Sequence, residues 1–189
     1  QAKAGENPAS PDTFEAFRDG FRAFMATDYS ERLKQFQTHW DWMRDHHASP
    51  FRSICLTGCC ESGFCAEEAG SRFNLFGINT LGIGTLIDSL WAVKQLVYDT
   101  GSVSLHELHN HLMSDFPDEA FLRRCRRLAG KYGSGNPETD ALAAEFANHV
   151  ADIVLNSRLA HGVRPYPGLF IFTGWAQMDI AATPDGRRN

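Results

Sequence analysis

Residues 79–101 read NTLGIGTLIDSLWAVKQLVYDTG. From Leu86 to Val97 the stretch is apolar on most sides, broken mainly by Asp88, Ser89, Lys94 and Gln95. A helix that is hydrophobic nearly all round is a buried one, because a solvent face would carry charge. The pattern predicts a buried helix across 79–101. Asp88 stands among Leu86, Ile87, Leu90 and Val93, where a bare carboxylate would be costly. It is expected to be a hydrogen-bonded anchor. The glycines at 77, 82 and 84 follow no obvious strand and lack the third glycine of a nucleotide loop, and close helix packing explains them as well.

Working outward, helices continue on both sides. Ser104 with Glu107 three residues on forms a capping box ahead of residues 104–116, SLHELHNHLMSDF. Pro117 stands at the expected start of PDEAFLRRCRRLA. KYGSGNPE is a glycine-rich break, followed by the alanine-rich helical pattern TDALAAEFANHVADIVLNSRLA. Toward the N-terminus, Phe14, Phe17, Phe21 and Phe24 recur at helical spacing, capped by Asp12 or Thr13. Leu33, Phe36, Trp40 and Met43 continue the stripe to His46-His47, as one helix or two. Residues 50–60 read as a short helical piece and 63–70 as loop. GLFIFTG (168–174) is β-branched and aromatic, the one good strand candidate, and TPDGRRN closes as a turn.

The chain has 189 residues, 43% hydrophobic and 22% charged, which suits one globular segment with its own core. Its net charge of −5 gives no sequence-wide reason to expect nucleic acid or an anionic membrane as a partner. Apolar runs fall well short of the roughly 18 residues of a membrane span. The first residues show no apolar signal region, so a cytoplasmic protein with reduced thiols is expected.

CLTGCCESGFC (55–65) holds four of the five cysteines. A radical-SAM cluster loop needs C-x3-C-x2-C; Cys55 and Cys59 fit, but the third place is Ser62. No paired C-x2-C offers a zinc site. Small buried residues at a helix end is the reading adopted. HELHNHL resembles H-E-x-x-H, but after His106 and Glu107 the second ligand position is Asn110, so a solvated face carrying His106 and His109 is expected. No metal site follows, and no Ser-His-Asp or Cys-His arrangement is legible by spacing.

Residues 182–188, ATPDGRR, resemble a signature of the glycyl radical enzymes, the pyruvate formate-lyase superfamily. Four further segments agree in order: TFEAFRDGFRAFM, PFRSICLTGCCESGFCAEEAGSRFN, the DSL helix through Asp88, Ser89, Leu90 and Lys94, and KYGSGNPETDALAAEF through Lys131-Tyr132-Gly133, Asn136 and Asp140. The resemblance covers nearly the whole chain. Its motif residues here are Asp88, Ser89, Lys94, Thr183, Pro184, Asp185, Gly186 and Arg187. GCCE superficially matches the family's catalytic-cysteine loop, but GSRFN and the DSL helix follow it directly. That context belongs to a later structural segment, with Cys59 matching its cysteine.

The resemblance implies a mostly α segment with one or two β-strands, part of the family's ten-stranded α/β barrel. Residues 1–12 would be linker and 13–189 a single segment, with helical scaffold over 13–162 and barrel strand plus turn over 165–189. The catalytic cysteine would lie upstream and the radical glycine downstream, so this chain would carry no catalytic residue, bind no cofactor and be inactive alone. The full-length enzyme would carry a glycyl radical installed by a separate radical-SAM activase, form a homodimer, work anaerobically and cleave C–C, C–O or C–N bonds of a small substrate. Its partners would be the rest of the polypeptide, the activase and the substrate, with no nucleic acid or membrane. Ala182, where pyruvate formate-lyases usually have Asn, leans toward the dehydratase and decarboxylase-like branch. Phe170 and Phe172, on one face of the strand, would wall the substrate pocket. Trp91 for a small residue and Phe73 for Tyr mark divergence. The competing reading is a non-catalytic helical module that binds a metal or partner through its Cys and His clusters.

Overall fold

The computed structural model describes residues 11–159, 163–170 and 181–189. The elements run α1 (Phe14–His46), α2 (Pro50–Ile54), α3 (Cys59–Ser62), β1 (Leu75–Leu81), α4 (Ile83–Val93), α5 (Leu105–Met113), α6 (Glu119–Arg126), α7 (Pro137–Asn156) and β2 (Arg164–Phe170). A 3₁₀ turn, Ala66–Glu68, sits in the expected loop, and α4 runs on as a π-helical turn, Lys94–Asp99. The chain divides into two units: residues 1–22, 82–145 and 171–189, and residues 23–81 and 146–170.

In the first unit the DSL helix is buried as its sequence demands. Ile87, Leu90, Trp91, Ala92, Val93 and Leu96 are in the core with Leu108, Phe116, Phe121, Leu122 and Cys125. Phe14 and Phe17 bring the start of α1 onto Tyr98, with ring centroids 6.0 and 6.3 Å apart. The Ser104 capping box forms: the Glu107 amide donates to Ser104 Oγ at 3.1 Å, and the Ser104 amide to Glu107 Oε2 at 2.8 Å. Helix α6 starts later than expected. Asp118, not Pro117, caps it by accepting from the Ala120 amide at 2.8 Å. Between α5 and α6, Asp115 and Phe116 both take the left-handed conformation, φ +53° and +55°. That conformation costs a residue with a Cβ about 1–2 kcal/mol, offset here by burial of the Phe116 ring.

The second unit corrects the reading of 79–101. Its first three residues, Asn79 to Leu81, end a strand instead of starting a helix. Gly82, at φ +82°, makes the switch into α4. Nothing lies within 4 Å of a Cβ built on Gly82, so conformation rather than close packing explains the glycine. Strand β1 pairs in parallel with β2, Leu75 opposite Arg164 through Leu81 opposite Phe170. The expected strand at 168–174 therefore begins earlier, and residues 171–174 lie outside the described residues. The Arg164 amide donates to the Asn74 carbonyl at 2.9 Å. Successive residues alternate direction, so Pro165 and Pro167 face the opposite edge of β2, where their missing N–H groups unpair nothing in the ladder.

Helix α1 is one continuous helix. Its aromatic stripe is only partly interior: Phe14, Met25 and Leu33 are buried, while Phe24 is exposed. Phe36 stacks on Phe76 at 3.8 Å, and Tyr29 Oη meets Thr80 Oγ1 at 2.6 Å, joining α1 to one face of β1.

Candidate functional site

Three of the motif segments converge in the first unit. The TPDGR turn closes on itself: the Thr183 amide donates to the Arg187 carbonyl at 3.1 Å and the Gly186 amide to the Thr183 carbonyl at 3.0 Å. The Thr183 hydroxyl donates to the Asp185 carboxylate. Gly186 is required twice over. Its φ is +94°, and a Cβ there would stand 2.9 Å from the Arg126 backbone nitrogen and 2.6 Å from Arg126 Cγ.

The turn is held by side chains from other elements. Arg126 Nε donates to the Gly186 carbonyl at 2.7 Å, and Lys131 Nζ to the Asp185 carbonyl at 2.8 Å. Arg188 Nη2 donates to the Phe116 carbonyl at 2.8 Å and pairs with Glu119. The Asn189 amide donates to Asp115 Oδ1 at 2.9 Å. The DSL helix joins through Asp88, whose Oδ1 accepts the Tyr132 amide at 2.8 Å. Asp88 is half-buried, and that burial raises its carboxyl above the usual range. The Tyr132 bond and the Lys131 charge oppose the rise, while Asp185 adds to it.

Trp91, the departure from a small residue, has a local reason. Its indole nitrogen donates to the Ala129 carbonyl at 2.8 Å, fixing the chain just before Lys131. Gly130, at φ +77°, lies against this ring and Asn136. Its carbonyl accepts from Asn136 Nδ2 at 2.8 Å and Thr139 Oγ1 at 3.2 Å. Lys94 points elsewhere, to Asp99 at 2.8 Å and Glu138 at 3.2 Å, with its ammonium 5.3 Å from the Trp91 ring centre. The hydrogen bond to Asp99, above all, raises its pKa. Ser89 Oγ is buried and, among the described residues, has no hydrogen-bond partner. The cluster's hydrogen bonds end largely on backbone carbonyls and amides.

The cysteine stretch lies in the second unit and is more exposed than expected. Only Cys59 of its four thiols is buried, at 4% exposure; Cys55 and Cys60 are exposed. Burial, first of all, pushes the Cys59 thiol up, and the neighbouring thiols and carboxylates add to it. Cys125, in the other unit, is pushed up to about 11 by burial. Both surroundings disfavour the thiolate, the reactive form of a cysteine. The segment is stitched by short-range polar bonds. Asn74 Nδ2 donates to the Ala69 and Ser71 carbonyls, both at 2.8 Å, and buried Glu67 pairs with Arg52 at 3.0 Å. Among the described residues no three His, Cys, Asp or Glu side chains are grouped to hold a metal. His106 and His109 lie on an exposed face of α5.

Phe170 shares a face of the sheet with its register partner Leu81 and is 46% exposed. Phe172 lies outside the described residues. A cavity of about 500 Å³ lies between β1 residues Phe76 and Ile78 to Leu81 and the α1 residues Tyr29, Leu33 and Phe36. Sequence reasoning missed Arg126, because nothing local ties a guanidinium to a carbonyl 60 residues away. Lys131 was legible only as part of the KYG resemblance.

The pyruvate formate lyase-like family matches residues 2–175. The chain is 32% identical over 104 residues to the trans-4-hydroxy-L-proline dehydratase of Clostridioides difficile, covering 54% of this chain and 13% of that protein. It is 28% identical over 156 residues to the isethionate sulfite-lyase of Desulfovibrio desulfuricans, covering 76% and 18%. Its fold matches the structure solved for 1,2-propanediol dehydration in Roseburia inulinivorans with a TM-score of 0.85 at 25% identity, over 95% of this chain and 24% of the other. A hydroxyproline dehydratase from Clostridioides difficile matches in fold at 0.86, over 97% and 24%. The chain belongs to the pyruvate formate lyase-like family of glycyl radical enzymes. It spans about a fifth or less of the length of those curated relatives, and among the described residues no helix is long and apolar enough to cross a membrane.

Proposed function

We propose that this chain is a scaffold segment of a glycyl radical enzyme of the dehydratase and lyase branch, which cleaves a C–O, C–C or C–N bond of a small substrate. The observation that carries the reading is the family match across residues 2–175 together with relatives that are dehydratases and a sulfite-lyase. In this reading the chain contributes no radical residue. It sets the TPDGR turn against the DSL helix and the KYG loop, and it offers the Phe170 face of the sheet, with Phe172, as a wall of the substrate pocket. Two aromatics there would exclude water from a radical and suit a small substrate. The radical glycine and the thiyl cysteine belong to the rest of the polypeptide, and a radical-SAM activase installs the radical in a cytoplasmic, anaerobic, dimeric enzyme.

The test is anaerobic co-expression of the complete reading frame with its activase. The expected result is a glycyl doublet by electron paramagnetic resonance and turnover of a hydroxylated substrate such as glycerol, 1,2-propanediol or trans-4-hydroxy-L-proline. The 189 residues alone should give neither. A radical signal from the short chain would overturn the scaffold reading, and turnover of pyruvate by the complete enzyme would overturn the branch.

A further inference from the structure

Helix α6 carries a charge pattern that the motif cluster leaves unused. Its buried residues are Phe121, Leu122 and Cys125. At helical spacing Arg123, Arg124 and Arg127 fall within about 100° of one another on the opposite side, and all three are exposed. Among the described residues their guanidinium groups meet no acid and no acceptor. Other arginines do: Arg18 and Arg22 meet Glu145, Arg32 meets Asp28, Arg44 meets Asp41 and Asp45, Arg52 meets Glu67, and Arg188 meets Glu119. Nearby, Arg126 donates to the Gly186 carbonyl, while Lys131 donates to the Asp185 carbonyl and its charge acts on the Asp88 carboxylate. Residues 123–131 thus hold five cations and no acid in a chain of net charge −5.

A helix dipole favours cations in the last turn, but like charges three and four residues apart repel one another. The repulsion within the triplet works against what the dipole gives it, and an anion docked from outside would relieve it. We propose that this face of α6 docks a carboxylate-rich segment of a partner protein. Guanidinium forks match carboxylates in planar, paired hydrogen bonds. Arg123 to Arg127 covers about 6 Å of helix axis, the reach of a few acidic side chains and not of a nucleic-acid backbone track. A long polyanion would also meet the net negative charge of the rest of the chain. The proposal stands apart from the enzyme reading, since it uses no motif residue.

The test titrates the chain into a fluorescently labelled hexaglutamate peptide and follows anisotropy. Affinity is expected to fall about tenfold between about 50 and about 300 mM salt. Replacing the triplet, R123Q/R124Q/R127Q, is expected to weaken binding at low salt by about tenfold, whereas R72Q/R158Q/R164Q, the same charge loss at exposed arginines elsewhere, should change it less than about twofold. Equal binding by the triplet variant and the unmodified chain would overturn the proposal, as would an equal loss in the control variant. A single-stranded oligonucleotide of matched charge that binds more tightly than the peptide would overturn the choice of carboxylates.

Discussion

Two phenylalanines mark the contrast between the units. Phe116, in the first, is 0% exposed although its backbone is left-handed; Phe51, in the second, is 80% exposed. The first unit closes a core around α4 and ties the TPDGR turn to it. The second carries Phe51, Ile54, Phe64, Phe73, Leu75, Tyr166, Leu169 and Phe170 at its surface, and its sheet is two parallel strands. Parallel sheets are ordinarily covered on both faces. The difference teaches that large apolar side chains can be consumed within a unit or left facing outward. The outward case suits a segment whose relatives are several times longer.

The comparison breaks first at the cores. Phe116→Ala should destabilise the chain by about 3–5 kcal/mol in urea unfolding; a loss below about 1 kcal/mol would show that the first unit's core is loose. Cys59→Ser and Gly186→Ala come next. The first leaves a buried hydroxyl to satisfy, at about 1–3 kcal/mol. The second forces a Cβ onto the Arg126 backbone, and faster hydrogen exchange at the Gly186 amide would report the lost turn. Surface changes in the second unit should be nearly silent: Phe51→Ser and Cys60→Ser are expected to stay within about 0.5 kcal/mol. The Cys60 outcome reverses what its sequence context suggests, because its thiol is exposed. A clear loss at Phe51 would mean that its surface is covered in solution, and sedimentation would then show association.

The smallest effect sharpens the first unit alone. Asp88 has a folded pKa raised by burial, so ionising it opposes folding. Its stabilising share is complete below the ordinary carboxylate pKa and is lost as pH rises through the raised value. Asp88→Asn keeps the acceptor for the Tyr132 amide and removes the charge. Relative to the unmodified chain, the variant should gain stability as pH rises from acid toward neutral. A flat difference across that range would remove burial as the dominant influence on Asp88.

Local signals were legible in the sequence and distant ones were not. The Ser104–Glu107 box and the apolar run of α4 needed only neighbours in the chain. Strand β1 was hidden because Gly77 and Asn79 dilute its pattern and Leu81 runs into the stripe of α4. Its partner begins at Arg164 and carries two prolines, which usually argue against a strand. The cysteine stretch was misjudged because spacing says nothing about which thiol faces inward. The motif residues were visible only as a resemblance; that Asp185 and Gly186 offer carbonyls, rather than side chains, to Lys131 and Arg126 required the folded backbone.

The left-handed pair Asp115–Phe116 has a kinetic corollary. Its two outside supports, Arg188 to the Phe116 carbonyl and Asn189 to Asp115, bridge 72 and 74 residues of sequence. Helices α5 and α6 can form from local contacts within about a microsecond. Clasping the bend between them requires closing a long loop, an entropic cost that grows with loop length and must be met before the contact rewards it. The clasp therefore closes late. Replacing Arg188 with Ala should quicken unfolding and leave the folding rate nearly unchanged, so the TPDGRR segment acts as a brake on opening and not as a nucleus of folding.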